Sequence, residues 1–372
     1  LGGGQLGKML LYETRKFDIY TKVLDASPEA PCKIACNEFV VGDLMDFDAV
    51  YNFGRGVDLL TIEIENVNIE ALEKLEEIGK KVYPSSRVLR IIQNKAKQKL
   101  FYIDNQIPTA PFSRFAYTSE IKDSVAHGGI AFPFVWKSAQ FGYDGQGVKI
   151  IRSLKDLEGL PNVECIAEDL IPFKNELAVI VSRNIHGEVI DYPVVEMEFH
   201  PEANQVEYVL CPARINSDVA AKARKTALML SEKLQHIGLL AVEMFQTSED
   251  EILVNEVAPR PHNSGHYSIE GSYTNQFEQH LRAILGFPLG SSDSKVGGVM
   301  VNLVGEENFT GVVLYENIEV IFKLSGVTPH VYGNKETRPY RRMGHVTIIN
   351  DNIQEAHRIA EKVKETIQVI SK

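Results

Sequence analysis

The sequence lacks the features that mark several large classes of protein. It has four cysteines and one tryptophan in 372 residues, and no apolar run approaches the roughly 18 residues that a membrane-spanning helix needs. Cys32 and Cys36 have no second Cys or His pair nearby, so their spacing does not form a zinc site. These absences predict reduced thiols in a cytoplasmic protein that does not span a membrane. The chain opens at Leu1, within a motif and without Met, so we expect its natural N-terminus to precede this residue.

Positive charge is also scarce, since the net charge is −11 and the isoelectric point is about 5.5. This balance excludes a general nucleic-acid-binding surface, so any basic site must be local. The phosphate-binding pattern G-x-x-x-x-G-K-[ST] is absent. A length of 372 residues predicts two or three domains.

The N-terminal third alternates predicted strands and helices. Apolar strands over 19–24 and 57–64 and helices over 8–16 and 69–78 predict a parallel sheet covered by helices. Gly2, Gly4 and Gly7 fit G-x-G-x-x-G, and the acid Asp25 follows 18 residues after Gly7. Such a loop binds a phosphate group, makes a tight strand-to-helix turn, or binds a nicotinamide or flavin dinucleotide. The pattern alone leaves these three alternatives open.

A second glycine-rich loop lies in the middle of the chain. The predicted strand 132–137 ends at Lys137, and Gly142, Gly145 and Gly147 follow before the strand 148–151. Such a loop can fold over a triphosphate and donate backbone N–H groups, with the lysine as a fixed charge. A plain hairpin with an exposed lysine is the alternative. In 165–171 a strand ends in acidic and backbone groups that could bind an adenine edge, although Glu168 and the later Glu176 could equally be solvated surface charges.

Two glutamates end apolar runs in 239–245 and 252–257, which predict an antiparallel hairpin. If the turn pairs residue 243 with residue 254, Glu243 and Glu256 lie on one face as diagonal neighbours, roughly 7–8 Å apart. Unpaired charges are costly to bury, and two such carboxylates can share Mg²⁺. The alternative is an acid pair at a strand edge that Arg260 neutralises. His262 and Asn263 follow directly, which favours an anionic ligand beside a metal ion.

The segment 335–345 carries four cations within eight residues of an otherwise acidic protein. We favour an anion pocket for a small phosphate over a nucleic-acid contact or a solvated turn. Two further segments, 219–237 and 353–370, predict amphipathic helices that serve packing. Gly238 is expected to end the first, and Asp351 or Asn352 to cap the second.

Five motifs together are similar to one known family. They are GGGQLG at 2–7, EIENV at 63–67, GYDGQG at 142–147, NEVAPRPHNSGH at 255–266 and KETRPYRRMGH at 335–345. In this order, across nearly the whole chain, they resemble the N5-carboxyaminoimidazole ribonucleotide synthetases, the ATPase subunits of phosphoribosylaminoimidazole carboxylase. Of the five, NEVAPRPHNSGH is the most specific.

The resemblance implies an α/β (α+β) ATP-grasp fold. Its expected parts are a Rossmann-like parallel-sheet domain over 1–92, an ATP-grasp region over 93–290 with a glycine-loop lid near 110–172, and a C-terminal domain over 291–372. It also implies a cytoplasmic homodimer. The implied reaction, in purine biosynthesis, joins ATP, bicarbonate and 5-aminoimidazole ribonucleotide through carboxyphosphate, giving the carbamate, ADP and phosphate.

The resemblance also implies roles for individual residues. Glu243 and Glu256 would hold Mg²⁺, with Mn²⁺ as a possible substitute. Asp144, Arg260 and His262 would be catalytic, and Asp144 would orient or deprotonate the attacking amine. ATP would be bound by Lys95, Lys137, Gly142, Gly145, Gly147, Glu168, Asp169, Leu170, Ile171, Glu176, Asn255 and Glu256. The aminoimidazole nucleotide would be bound by Gln5, Leu6, Glu63, Tyr143, Asp144, Asn263, Ser264, Lys335, Arg341 and Arg342.

The sequence departs from the family pattern at two positions. Many members have Arg or Lys where this chain has Gln146, and the commoner Arg is Lys95 here, which keeps the charge but loses the bidentate fork. Other functions stay open. Formate-dependent glycinamide ribonucleotide transformylase and biotin carboxylase share the ATP-grasp logic, a nicotinamide oxidoreductase would use GGGQLG, and a nucleotide sensor would bind ATP without turnover.

Overall fold

The structure is a computed structural model, and it describes residues 1–140, 147–201, 203 and 205–372. Its helices are α1 (Gln5–Thr14), α2 (Phe47–Arg55), α3 (Ile69–Glu77), α4 (Ser86–Ile92), α5 (Lys95–Asp104), α6 (Glu120–Ala126), α7 (Ser217–Leu234), α8 (Ser268–Gly271), α9 (Gln276–Leu285), α10 (Ile318–Ile321) and α11 (Ile353–Thr366). Among the helices in the described ranges, none has the length and apolar character needed to cross a membrane.

The strands of the first half are β1 (Lys22–Asp25), β2 (Glu38–Val41), β3 (Leu59–Thr61), β4 (Lys81–Tyr83), β5 (Phe112–Phe115), β6 (Phe134–Ser138), β7 (Val148–Ile151), β8 (Cys165–Asp169), β9 (Phe173–Arg183) and β10 (Val189–Asp191). Those of the second half are β11 (Val195–Phe199), β12 (Val206–Cys211), β13 (Gly238–Thr247), β14 (Ile252–Ala258), β15 (Gly298–Val304), β16 (Gly311–Glu316), β17 (Val327–Val331), β18 (Glu336–Thr337), β19 (Arg342–Ile349) and β20 (Gln368–Ser371).

The N-terminal part is a parallel α/β unit, as predicted. β1 pairs with β2 and β3 pairs with β4, both in parallel. The first residues of the chain join the two pairs, because Gly2 N donates to Leu24 O at 2.9 Å and Leu1 N donates to Thr61 O at 2.8 Å. The apolar faces of β1, β3 and β4 pack against α2 and α3 around Leu72 and Leu75. The glycine loop therefore emerges at the centre of this sheet.

A four-stranded antiparallel sheet follows, in the order β5–β8–β6–β7. Its inner face packs Phe134, Trp136 and Ile151 against Ile121 of α6. The predicted strands 132–137 and 148–151 are present as β6 and β7, which pair antiparallel. This sheet carries Lys137 on β6 and Glu168 on β8 to one side of the molecule.

The largest sheet runs in the order β14–β13–β9–β11–β12–β15–β19–β17, with β10 paired to β9. Helix α7 packs across its first strands and helix α11 across β15 and β19. The predicted hairpin is confirmed as β13 and β14. Because β19 belongs to the same sheet as β13, the last sequence motif and the paired acids share one scaffold.

The two amphipathic helices are confirmed, but their ends differ from the prediction. Helix α7 ends at Leu234, and its C-cap is Gln235 at φ 52° in the left-handed region. Gly238, at φ 104°, instead begins β13. Helix α11 ends at Thr366, and Gln368–Ser371 forms an edge strand. Tertiary pairing of β20 with β16 overrides the helical periodicity of the last residues.

Helix α5 begins at a lysine that the sequence analysis assigned to ATP. Asn94 caps this helix by accepting a hydrogen bond from Lys97 N at 2.9 Å, and its Nδ2 donates to Glu164 Oε2 at 3.1 Å. Lys95 N donates to Ala139 O at 2.8 Å. These contacts fix the start of α5 against the four-stranded sheet β5–β8–β6–β7, hereafter the lid sheet. The Lys95 side chain, the first of the helix, therefore extends from a rigid position.

Candidate active site

Glu243 and Glu256 lie directly opposite each other on the β13–β14 hairpin. The register pairs Glu243 with Glu256 and Met244 with Val254, so Asn255 is the extra residue of a β-bulge. The predicted pairing of residue 243 with residue 254 is therefore wrong, because Val254 pairs with Met244 and the bulged Asn255 then places Glu256 opposite Glu243. Cross-strand partners have Cβ atoms about 4.5–5.5 Å apart, closer than the diagonal spacing that the sequence suggested.

The electrostatics of these two acids differ strongly. Burial, reinforced by the facing Glu256 and by Glu176, raises the pKa of Glu243. Lys95 lowers the pKa of Glu256, and its Nζ lies 2.5 Å from Glu256 Oε2. The pair therefore holds an ionised Glu256 beside a carboxyl group that resists ionisation in the absence of a further cation.

The donor set fits a hard divalent cation. Two facing carboxylates and the neighbouring Asn255 amide offer the oxygen ligands that Mg²⁺ prefers, and a cation would relieve the repulsion that opposes ionisation of Glu243. In the part of the chain that the structure describes, no three His, Cys, Asp or Glu side chains gather into a metal-binding cluster. Such a cation would therefore complete its ligand set with phosphate oxygens or water.

Lysines from two elements approach the hairpin. Lys137 on β6 donates to Asn255 Oδ1 at 2.9 Å. The same ammonium lies 3.0 Å from Glu168 Oε2, and Glu168 also pairs with Lys99 at 3.2 Å. Glu168 is thus a buried partner of two lysines and not a solvated surface acid. Lys99 was missed in the sequence, although its spacing of four from Lys95 on α5 places both on one helical face.

His262 contacts Glu243 as a neutral ring. Its Nδ1 accepts from Ser264 N at 3.3 Å and lies 3.0 Å from Ser264 Oγ, which leaves the hydrogen on Nε2. That Nε2 is 3.4 Å from Glu243 Oε1. Burial and the cations Arg260 and Arg342 lower the pKa of His262 to about 3. At neutral pH the ring therefore offers an N–H group to the site and carries no charge.

Arg260 pairs with a residue of the EIENV motif, since its Nε lies 2.8 Å from Glu65 Oε1. The cation that holds Glu256 is Lys95. The suggested neutralisation of the acid pair by Arg260 is thus replaced by a contact that joins the hairpin region to the N-terminal unit.

The first glycine loop is filled by the protein's own carboxylates. Gly4 N donates to Glu63 Oε1 at 2.7 Å and Gly7 N donates to Glu63 Oε2 at 3.0 Å. Gly3 N donates to Asp25 Oδ2 at 2.7 Å. Of the three alternatives for this loop, the structure favours the strand-to-helix turn, because these amides already have anionic partners. Asp25, the acid that follows the glycines, thus serves the turn.

Gln5 and Leu6 are the first residues of α1. The Leu6 side chain is buried against Phe277 and Leu281, while Gln5 is half-buried. Of these two residues, Gln5 alone has a polar side chain. A ligand beside the loop would therefore contact the Gln5 side chain and the backbone of Leu6.

The residues assigned to the adenosine end lie on β8, β9 and their connection. Asp169 ends β8 and is exposed, and Leu170 and Ile171 follow it half-buried. Glu176 lies on β9 opposite Phe245 of β13. Burial, reinforced by Glu256, raises the pKa of Glu176 to about 7.

The cations of the last motif, 335–345, lie in different environments. Lys335 is exposed and pairs with Glu29 of the N-terminal unit. Arg341 donates to Glu336 O at 2.8 Å and to Asn334 Oδ1 at 3.0 Å. Arg342 begins β19, is half-buried, and opposes ionisation of His262 as well as favouring that of Glu243. Arg342 thus acts electrostatically on the β13–β14 hairpin, hereafter the acid hairpin, which carries Glu243 and Glu256.

Asn263 and Ser264 are buried behind His262. Asn263 Nδ2 donates to Asn302 Oδ1 at 2.9 Å, and Asn302 Nδ2 donates back at 3.1 Å. These reciprocal amide bonds orient the 262–266 loop on β15 and occupy the Asn263 side chain.

The two most basic and polar motifs end in histidines that stack on each other. The rings of His266 and His345 are 4.6 Å apart, and those of His345 and His330 are 4.5 Å apart. Tyr332 Oη lies 3.0 Å from His345 Nδ1. Burial lowers the pKa of His266 and of His345 well below the ordinary value. The stack is therefore a neutral packing contact that joins the motifs.

Gly142, Tyr143, Asp144, Gly145 and Gln146 lie outside the described residues. The following residue, Gly147, has φ 76°, and its carbonyl accepts from Ser138 N at 2.9 Å. Ser138, at the end of β6, and Gly147, just before β7, are thus joined across the two paired strands.

Comparison with known proteins decides the family. Residues 1–93 match the ribonucleotide synthetase preATP-grasp domain, residues 100–277 the ATP-grasp domain, and residues 298–359 the phosphoribosylaminoimidazole carboxylase C-terminal domain. The N5-carboxyaminoimidazole ribonucleotide synthase of Bacillus subtilis is 35% identical over 353 residues, which cover 94% of this chain and 90% of that protein. The chain belongs to the N5-carboxyaminoimidazole ribonucleotide synthetase family.

Solved structures of this family have the same fold. The synthetase from Thermotoga maritima superposes with a TM-score of 0.90 at 39% identity and covers 100% of this chain and 98% of its own. The Aspergillus clavatus synthase, solved with ADP and 5-aminoimidazole ribonucleotide, has a TM-score of 0.87 at 31% identity and covers 98% of this chain and 97% of its own. The predicted ATP-grasp fold is confirmed.

Family members differ in length. The phosphoribosylaminoimidazole carboxylase of Saccharomyces cerevisiae is 35% identical, and the match covers 95% of this chain but 64% of that protein. This chain therefore spans somewhat less than two thirds of the length of that longer relative. As an enzyme of this family it is an ATP-grasp ligase.

Proposed function

We propose that this chain carboxylates 5-aminoimidazole ribonucleotide with bicarbonate at the expense of ATP, giving the N5-carbamate, ADP and phosphate. The observation that carries the proposal is the bulged hairpin. Its carboxylate pair Glu243 and Glu256 and the Asn255 amide meet two lysines from other elements, Lys95 and Lys137. Oxygen ligands beside fixed cations are what transfer of a γ-phosphoryl group requires.

Glu243 and Glu256 would hold Mg²⁺, and Mn²⁺ suits the same oxygen donors. A bound divalent ion supplies charge neutralisation for the triphosphate as phosphoryl transfer proceeds. Asn255 stands beside the pair and, through Lys137, ties it to the lid sheet. The fold of the hairpin would hold these side-chain oxygen atoms close together before the nucleotide binds.

The nucleotide would lie between the lid sheet and the hairpin. Lys95 and Lys137 would bind its phosphates, and Glu176 would accept from ribose hydroxyls. The segment Glu168, Asp169, Leu170 and Ile171 would border the adenine, and Gly142, Gly145 and Gly147 would cover the phosphates.

In the first step a bicarbonate oxygen attacks the γ-phosphorus, the bond from the γ-phosphorus to the β,γ-bridging oxygen breaks, and ADP leaves. In the second, the amine of the acceptor attacks the carbonyl carbon of carboxyphosphate, inorganic phosphate departs, and the amine loses a proton, for which Asp144 is the proposed base. Arg260 and the neutral His262 would bind the bicarbonate oxygens. Closure of the lid would keep water from the labile intermediate.

The acceptor nucleotide would contact Gln5, Leu6, Glu63, Tyr143, Asp144, Asn263, Ser264, Lys335, Arg341 and Arg342. We also propose that the chain acts as a cytoplasmic homodimer, with the division into 1–92, 93–290 and 291–372. Neither nucleic acid nor a membrane enters this proposal.

The test is phosphate release from Mg-ATP with bicarbonate and 5-aminoimidazole ribonucleotide, each omitted in turn. We expect release to depend on all three and to fall at least about 100-fold in Glu256→Gln, which keeps the shape but removes the ionised member of the pair. Glu251→Gln, an exposed acid at the end of the same hairpin turn, is the matched control and should behave as the unchanged protein.

Release that requires formate with glycinamide ribonucleotide, or biotin, would assign the chain to the rival ligases. ATP binding without turnover under every acceptor would leave a nucleotide sensor. Nicotinamide binding, detected by cofactor fluorescence, would contradict the structural role found for the glycine loop.

A further inference from the structure

Lys99 has no part in the reaction as described so far, yet it contacts Glu168 and lies beside the residues proposed to bind the nucleotide. It is 2% exposed, compared with 8% for Lys137. Its partner Glu168 is also 2% exposed. A fully buried ion pair contributes little net stability, because desolvation of both charges offsets their attraction.

Lys99 belongs to a closed ring of polar contacts between the lid sheet and the acid hairpin. Its Nζ donates to Thr109 Oγ1 at 2.5 Å, and that hydroxyl donates to Val254 O at 2.7 Å. On the other side Lys99 pairs with Glu168, Glu168 pairs with Lys137, and Lys137 donates to Asn255. Val254 and Asn255 are consecutive residues of β14, so the ring of contacts begins and ends at the bulge.

The charges in the ring do not cancel. Two lysines face the single carboxylate of Glu168, and both approach the same oxygen, Oε2. Were Lys99 neutral, Lys137 and Glu168 would form a neutral pair and the field of Lys137 at a phosphate would be largely cancelled. With Lys99 charged, the trio carries one net positive charge, and Lys137 is its least buried member.

We infer that Lys99 is a positioning residue for ATP, which holds Glu168 and thereby leaves the charge of Lys137 available to the nucleotide's phosphates. This inference rests on the proposed nucleotide site. It adds a residue that touches no substrate and acts through Glu168 and Lys137.

A purely structural role would leave the ATP affinity of the folded protein independent of the Lys99 charge, whereas this role would make that affinity depend on pH. The groups that face Lys99 are Glu168 on β8, Lys137 on β6, Lys95 on its own helix, the Thr109 hydroxyl and the ring of Phe112 on β5. Burial, opposed by Glu168, lowers the pKa of Lys99 to about 8. The side chain is therefore charged below that pH and loses its charge as the pH rises through it.

The experiment measures ATP affinity by isothermal titration calorimetry, without the acceptor, for Lys99→Met and for the matched control Lys97→Met. Lys97 is exposed on the same helix. We expect an affinity about tenfold weaker in Lys99→Met and no change in the control. In the unchanged protein, affinity should fall between pH 7.5 and 9 with proton uptake on binding, and this dependence should vanish in Lys99→Met.

Two further variants keep the test decisive if Lys99→Met proves unstable. Lys99→Arg stays charged throughout and should bind ATP with no decline in affinity above pH 8. The double change Lys99→Met with Glu168→Gln removes both charges of the pair and should bind ATP better than Lys99→Met alone, because Lys137 is released.

A persisting decline in Lys99→Arg, or equal affinities for Lys99→Met and Lys97→Met, would overturn the inference. Failure of the proposed function is a separate result, since it appears as phosphate release that ignores bicarbonate and the acceptor while ATP affinity still responds to Lys99.

Discussion

At the scale of single residues, burial opposes the ionisation of two carboxylates of the site, Glu176 and Glu243. Glu176 is the clearest case, because burial raises its pKa from 4.5 to about 7. In its proposed role as an acceptor from ribose hydroxyls, Glu176 would act in its ionised form, and burial makes that form costly to the stability of the free protein.

Glu176→Gln should therefore stabilise the free protein at pH 8 and weaken ATP binding. The folded state binds the Glu176 proton more tightly than the unfolded state, so the stability this residue contributes is present below pH 4.5 and lost as the pH rises to 7. The amide removes that loss, which is on the order of 1–3 kcal/mol. Thermal unfolding at pH 8 and at pH 5 measures the change in stability. An equal gain in stability at both pH values would contradict the assignment to ionisation of Glu176.

At the scale of elements, the bulge in β14 brings together three oxygen-bearing side chains, those of Glu243, Asn255 and Glu256, from consecutive or facing positions. A regular ladder would alternate the side chains of Asn255 and Glu256 between the two faces of the sheet. The extra residue instead lets Asn255 meet Lys137 while Glu256 meets Lys95. Bulges commonly re-aim side chains beside active sites.

Deleting Asn255 should restore a regular ladder in which Glu243 and Glu256 stay opposite each other. We expect a folded protein whose kcat/KM for ATP is about tenfold lower than that of Asn255→Ala, because the deletion also removes the bend that aims Glu256. Circular dichroism reports the fold, and phosphate release reports activity. Equal activities would show that the bulge only supplies the amide.

The glycine loop gives a second prediction at this scale. Glu63→Ala would leave the amides of Gly4 and Gly7 without their carboxylate partner, so the free energy of unfolding should fall by about 1–3 kcal/mol. Glu77→Ala, an exposed acid at the end of α3, is the control. Denaturant titration measures both, and equal stabilities would mean that water replaces the carboxylate without loss.

The sequence predicted the elements better than their junctions. Periodicity located the β13–β14 hairpin and the helices α7 and α11, because each buries one regular face. It could not show the bulge, since no residue type in Asn255 and Glu256 signals an extra position. Contacts across the chain, such as Lys335 with Glu29, depend on tertiary docking that local pattern does not encode. Lys99 was accessible in principle from its helical spacing to Lys95.

At the scale of the whole molecule, buried histidines make the fold sensitive to acid. Five of the ten histidines have pKa values lowered mainly by burial, and two of them belong to the stack between motifs: His236, His262, His266, His280 and His345. Their folded forms are neutral, so stability is present above the unfolded pKa of 6.5 and is lost as the pH falls below it.

Thermal unfolding should therefore show a midpoint that is flat from pH 7 to 8 and falls steeply below pH 6.5. If all five take up a proton on unfolding, the loss approaches roughly 7 kcal/mol per pH unit near pH 5. His280→Asn, which can retain a contact to Thr61 Oγ1, should flatten the slope without changing the site. An unchanged slope would assign the acid sensitivity to carboxylates.

A cradle that the protein fills with its own acids has a consequence for classification. A pattern search limited to the first 25 residues would assign this chain to the nicotinamide- or flavin-dependent enzymes, since Gly2, Gly4, Gly7 and Asp25 all match the dinucleotide-binding pattern. The side chains of Asp25 and Glu63 accept the hydrogen bonds that a pyrophosphate accepts in a dinucleotide-binding loop. The glycine fingerprint in this chain therefore reports a backbone geometry and not a dinucleotide ligand.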